Sequence, residues 1–226
     1  MEDRVHHHVI DSFVRRGYPS TAWEIAADLG ATSEQVAATL RRLHDGHGLV
    51  LHPGSLDVWI AHPFSASPTA VWVAEGERGW WAPCMWCALG VAVLAAPNAT
   101  IHARIGGEHE PVQIQLHDGA VAEDSSSLGV HFAVPLRDAW ANVVHFCSTV
   151  LPFRSAADVE RWCERHRIAQ GAVVPVAQAL DLARAWYGHH LDRDWRKWTL
   201  QEAQAIFERV GLTGPFFRLP VSDGVY

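Results

Sequence analysis

Apolar residues recur at helical spacing through Val5, Val9, Ile10, Phe13 and Val14, and Gly17 follows as a stop. Thr21 with Glu24 has the pattern of a capping box and opens a second helix, Trp23–Leu29, closed by Gly30. Thr32 with Gln35 opens a third, in which Val36, Leu40 and Leu43 make the buried stripe. Leu49–His52 and Val58–Ala61 then alternate around Pro53-Gly54, a strand–turn–strand signal. Three helices and a two-stranded wing predict a winged helix over residues 1–63. Phe64–Pro68, rich in Ser and Pro, reads as the linker to a second domain, 64–226. There the pattern predicts a strand over Ala70–Ala74, a turn over Gly76–Trp81 and an apolar helix over Cys84–Ala95 that Pro97 ends. Strands follow at Thr100–Ile105, Val112–Leu116 and Gly129–Val134, with turns at Gly106-Gly107 and Asp118-Gly119. The run that ends at His145-Phe146-Cys147 reads as one more strand. The last third is helical: Ser155 with Asp158 caps a helix to Arg165, Pro175 begins one to Trp186, and Thr199 with Glu202 begins one that Gly211 stops. Strands followed by terminal helices make the fold class α+β.

Composition narrows the partners. The 226 residues are 49% hydrophobic and 19% charged, enough for a real core, and carry a net charge of −7. Carboxylates outnumber arginines in the N-terminal segment, and Glu34 opens its third helix, where it would face phosphate; nucleic acid is not an expected partner. Met1–His8 is charged and His-rich, so no signal peptide is expected, and His6-His7-His8 is read as surface of the first helix. The longest apolar run, Ala88–Ala96, falls far short of the ~20 residues of a membrane span. Four scattered cysteines (Cys84, Cys87, Cys147 and Cys163) make no disulfide framework and point to reduced thiols in a cytoplasm.

Those thiols are the chemistry most visible in the chain. Cys84 and Cys87 are three apart on a predicted helix and share a face that Gly90 continues. Thiolates select soft ions, so a dithiol joined by Cys147 from another element makes a plausible soft-metal site. Buried, inert cysteine is the alternative. A glycine in an apolar helix costs about 1 kcal/mol against alanine, so Gly90 points to close approach by a ligand or another backbone. Eleven tryptophans are present; Trp80, Trp81 and Trp86 just before Cys87 are read either as an apolar mouth to a site or as core filling. Trp162, Trp186, Trp195 and Trp198 are read as packing, and His189-His190 with Asp192 and Asp194 as a charged surface loop.

Trp86-Cys87-Ala88-Leu89, the later Phe146-Cys147 and the helix Ser155–His166 with its Trp and His resemble the organomercurial (alkylmercury) lyase family. The closing Gly211–Phe216 resembles the tail of longer members, and the likeness spans Val5 to Pro220. It implies an enzyme needing no cofactor, whose substrate is a small organomercurial or a soft ion such as Hg or Cu. It implies that Cys87 and Cys147 grip mercury, and that an aspartate three residues after the helix cysteine helps deprotonate a thiol and deliver a proton to the departing carbon. That position is Gly90, and Cys84 has no counterpart. Three substitutes for the acid stay open: His145, which on a strand would share the face of Cys147 and whose reference pKa near ~6.5 suits proton transfer; Cys84, as an added ligand and proton donor; or a water. His145 as a half-buried structural histidine is the alternative. The expected site is therefore Cys87, Cys147 and His145 for chemistry, Cys84 as a further metal ligand, and Gly90, Trp81 and Trp86 around the substrate. Weak or no organomercurial turnover is expected, and Gly90→Asp is expected to raise it. Two other functions compete: a non-catalytic soft-metal thiolate protein, and a winged-helix regulator that senses such an ion.

Overall fold

A computed structural model describes residues 1–220 and has an α+β fold. Helices α1 (Glu2–Arg16), α2 (Ala22–Leu29) and α3 (Ser33–Asp45) come first. The capping boxes at Thr21 and Thr32 form with both reciprocal hydrogen bonds, and Gly17 closes α1 at φ 79°, a left-handed conformation that costs glycine little. Strands β1 (Val50–Leu51), β2 (Val58–Ala61), β3 (Phe64–Ser65), β4 (Val71–Glu75) and β5 (Arg78–Ala82) follow. After them come α4 (Met85–Ala95), β6 (Thr100–Arg104), β7 (Pro111–His117) and β8 (Ala120–Val121). Among the described residues the eight strands form one antiparallel sheet in the order β1-β2-β3-β5-β4-β6-β7-β8.

The segment expected as a linker is part of that sheet. Phe64 and Ser65 are buried and pair with Ala61 and Ile60 on one side, while Ser65 pairs with Trp81 on the other. A Ser/Pro-rich composition does not register a strand only two residues long. The predicted turn over Gly76–Trp81 is likewise shorter: the reversal lies at Gly76, and Trp80 and Trp81 are in β5, opposite Val73 and Trp72. Alternate faces of the strand separate the two indoles. Trp80 turns inward and donates its indole N–H to the Phe13 carbonyl at 2.7 Å, tying α1 to the sheet.

α4 is apolar all round and buried from Met85 to Ala92, as a helix with no polar face must be. It packs between β4 and β5 of the sheet and α8 (Val176–Tyr187). A second, three-stranded sheet in the order β10-β9-β11 joins β9 (Gly129–Phe132), β10 (Val150–Phe153) and β11 (Ala172–Pro175). Between β9 and β10 lie the short helices α5 (Leu136–Ala139) and α6 (Val143–Ser148). Helices α7 (Ala156–His166) and α9 (Leu200–Arg209) complete the described elements longer than one 3₁₀ turn. The strand-like reading of the run that ends at Cys147 is thus corrected: it lies in α6. The side chain of Asn142 accepts from the His145 N–H at 3.0 Å and starts α6, and Thr149 ends it.

Candidate functional site: a buried thiol cluster beside an aromatic cleft

Cys84 is the N-cap of α4. Its Sγ accepts the Cys87 backbone N–H at 3.3 Å, taking the place that a hydroxyl or carboxylate oxygen usually fills. The open end of a helix stabilises negative charge, and a thiolate there is held by both the dipole and the free N–H. Cys87 lies in the first turn, with its Sγ 3.4 Å from the Tyr187 hydroxyl at the end of α8. Cys147 comes from α6, its Sγ 3.9 Å from Nε2 of His62, which sits in the tight His62-Pro63 turn between β2 and β3. The ligand atoms of His62, Cys87 and Cys147 all lie within 4.8 Å of one another, a grouping that could hold an ion. All four cysteines of the chain are free and buried.

The thiols divide one charge unequally. Burial opposes ionisation of Cys84, but hydrogen bonds from the Cys147 and Cys87 thiols, the Cys87 N–H and nearby His62 outweigh it and hold Cys84 well below the ordinary thiol range. Cys87 is pushed well up, by burial first and then by the neighbouring Cys84 charge. Cys147 is pushed up by its hydrogen bonds to Cys84 and Cys87, and then by burial. Burial and the adjacent sulfurs raise the Tyr187 hydroxyl as well, while burial lowers the His62 imidazole. Of the three thiols, Cys84 is the one whose surroundings favour the thiolate. Protons and soft ligands sit together, as a carbon–metal bond needs if it is to be protonated.

The position expected to lack an acid is not vacant. A Cβ built on Gly90 would meet Tyr187 Cδ2 at 2.4 Å, Cε2 at 2.8 Å and Pro63 Cβ at 2.9 Å. The glycine does mark a close approach, and what approaches is a tyrosine ring. Neither a water nor an aspartate side chain has room there while Tyr187 stays. His145 is not with the thiols either: it is exposed on α6, two residues from Cys147, and positions two apart on a helix point roughly 200° from each other. Trp81 packs on Trp72 with ring centroids 4.6 Å apart and lines no part of the cleft described next.

Trp86 does line it. This cleft runs from Cys147 and His62 past Trp86, Trp186 and Tyr187 to Trp195 and Lys197. Trp86 packs against Trp186 and Tyr187 with centroids 5.5 and 5.4 Å away. A second, more open groove is lined by Cys84 and Cys147 together with Trp59, Thr69 and Leu151, with both cysteines buried at its floor. Two residues read as surface are buried here. His6 on α1 is fully buried and stacks on Trp195 with centroids 3.4 Å apart. His190 is buried too and donates through Nδ1 to the His62 carbonyl at 3.1 Å. Trp186 and Trp195, read as packing, are also walls of the cleft. The sequence reading missed His62, Tyr187 and Lys197. Gly90 was the signal that could have led to Tyr187, whereas nothing local marks His62 or Lys197.

Comparison with known proteins bears on this arrangement. The profile of the alkylmercury lyase family, MerB, matches residues 64–188. A solved structure described as the mercury-bound form of MerB2 superposes with a TM-score of 0.68 at 21% identity, over 85% of this chain and 90% of that one. No curated protein matches the sequence. A family profile that covers more than half of the chain, together with the shared fold, makes this protein a member of the alkylmercury lyase family.

Proposed function

We propose that the protein is a carbon–mercury lyase in which a third thiol, Cys84, does the proton work of the absent carboxylate. The observation that carries this reading is the hub position of Cys84. It caps α4, its Sγ accepts the Cys87 N–H at 3.3 Å, and the neighbouring thiols and the helix N-terminus favour its thiolate. Two sulfurs, Cys87 and Cys147, with His62 suit mercury, the softest common divalent ion, as part of the substrate.

In the first step Cys84 thiolate takes the Cys87 proton, and the Cys87 thiolate displaces the outgoing ligand X⁻ from R–Hg–X. Mercury is then bound to Cys87 and R. As Cys147 closes on the metal, Cys84 gives its proton to the carbon and takes the one that Cys147 sheds. The Hg–C bond breaks, R–H leaves, and Hg is held by Cys87 and Cys147 with Cys84 protonated. Charge balances, since X⁻ carries away the negative charge that began on Cys84. Tyr187 positions Cys87 through its hydroxyl, and His62 does so for Cys147. The open groove beside Cys84 and Cys147 gives external thiols a way to remove Hg(II).

The test follows release of benzene from a phenylmercury salt under excess thiol, beside uptake of Hg(II) read by thiolate absorbance. Cys84→Ala should bind one Hg(II) through Cys87 and Cys147 but turn over ~10²–10⁴-fold slower, the usual contribution of a general acid–base group. Cys87→Ser and Cys147→Ser should lose both, and Cys163→Ser neither. Wild-type rates in Cys84→Ala would end the proton-relay reading. Stoichiometric Hg(II) uptake by a wild type that releases no hydrocarbon would favour a soft-ion binding protein instead.

A further inference from the structure

The aromatic cleft carries a set of hydrogen-bond donors that nothing in the chain uses. The indole N–H groups of Trp86 and Trp195 and the ammonium of Lys197 are buried at the atom and have no hydrogen-bond partner among the described residues, and Nδ1 of His62 is unpaired as well. All four residues line the cleft. Trp86 and Trp195 are each more than nine-tenths buried. Buried polar groups in folded proteins are ordinarily paired, so a cluster of donors around one cleft calls for an acceptor. No Asp or Glu lines the cleft to supply it. Glu2, the carboxylate whose charge reaches Lys197, is itself hydrogen-bonded by Arg42 at 2.8 Å. Trp186, Phe146, Val143 and the Tyr187 ring make most of the remaining wall apolar, with His47, His190 and Cys147 at its polar points.

Donors of one sign with no internal anion, set against aromatic walls, define the missing ligand. It is flat, apolar over most of its surface, and ends in an anion that accepts from N–H groups. A phosphate or halide alone would leave the aromatic wall unused, and a plain hydrocarbon would leave the donors unmet. We propose that this cleft binds an aromatic carboxylate, with the ring against Trp86 and Trp186 and the carboxylate on Lys197 and the Trp195 indole. Cys147 lines the same cleft, so under the lyase reading above the preferred substrates are arylmercurials whose ring bears a carboxylate. The binding site itself does not depend on that reading.

The experiment is a tryptophan-fluorescence titration of the full-length protein with benzoate and with benzamide, which has the same ring and nearly the same shape but no charge. Benzoate should quench saturably and bind at least 10-fold tighter than benzamide. Lys197→Met should erase that difference by weakening benzoate alone, while Lys197→Arg should keep most of it. Cys163→Ser, outside the cleft, should bind benzoate like the wild type. If hydrocarbon release fails while benzoate still binds in a Lys197-dependent way, the lyase reading falls and the cleft assignment stands. Equal affinities for the two ligands, undiminished benzoate binding by Lys197→Met, or no saturable benzoate response would overturn the assignment.

Discussion

Placing a side chain at position 90 is the sharpest perturbation this structure offers. From local chemistry alone, Gly90→Ala in a buried helix should stabilise by about 1 kcal/mol, because glycine is the poorer helix former. The packing reverses the sign. The new Cβ would lie 2.4 Å from Tyr187 Cδ2 and 2.9 Å from Pro63 Cβ, against an ordinary carbon contact near ~3.5–4 Å. Tyr187 cannot yield cheaply, since it is buried and its ring packs on both Trp86 and His190. Overpacking of this kind costs about 1–3 kcal/mol and more when a large ring must leave. Gly90→Ala should therefore destabilise by roughly 1–2 kcal/mol net, shifting the urea midpoint down by roughly 0.5–1 M for an m-value of about 2 kcal/mol/M. Gly90→Asp should be worse, because it adds a buried carboxylate, and by moving Tyr187 off Cys87 it should lower lyase turnover instead of raising it. Urea unfolding of the wild type, Gly90→Ala, Tyr187→Ala and the double variant completes the cycle. The double variant should be more stable than the sum of the singles requires, with a coupling of at least about 1 kcal/mol. A Gly90→Ala protein as stable as the wild type, or strict additivity in the cycle, would refute the claim that Tyr187 occupies this position.

Two further outcomes follow from the same geometry. Tyr187→Phe keeps the ring and removes only the hydroxyl 3.4 Å from Cys87, so stability should fall by about 0.5–1.5 kcal/mol and phenylmercury turnover by less than 10-fold; a loss as deep as in Cys84→Ala would make the tyrosine the proton donor. His131 is fully buried between Phe153 and Trp162, and burial lowers its imidazole to about 4, so the unfolded chain binds the extra proton first as pH falls. Its contribution is complete above about pH 6.5 and is lost progressively as pH falls through about 4; urea midpoints at pH 7 and 4.5 should show that His131→Gln loses about 2 kcal/mol less stability than the wild type across that interval, and equal losses would exclude His131 as a source of the acid sensitivity.

What the sequence determined by itself is what short-range physics decides. Thr21, Thr32 and Thr199 start their helices because a hydroxyl three residues before a Glu or Gln satisfies both exposed donors, whatever the chain does elsewhere. Cys84 and Cys87 meet because i and i+3 at a helix start are neighbours in any fold, and the apolar girdle of α4 announced its burial. The motif around Cys87 also carried the family resemblance. Tertiary structure alone decided the rest. The stretch that ends at Cys147 mixes β-branched and aromatic residues with one histidine, and its six-residue helix is too short for period 3.6 to show against period 2, so the side to which Cys147 faces depended on Asn142 and on what α6 packs against. His6 and His190 look polar in sequence and are buried because α1 and the loop after α8 close over the same cleft. Gly90 told only that something comes close. That the something is Tyr187, from nearly a hundred residues away, followed from the docking of α8 on α4, a contact no local pattern encodes because it is set by the packing of two whole helix faces.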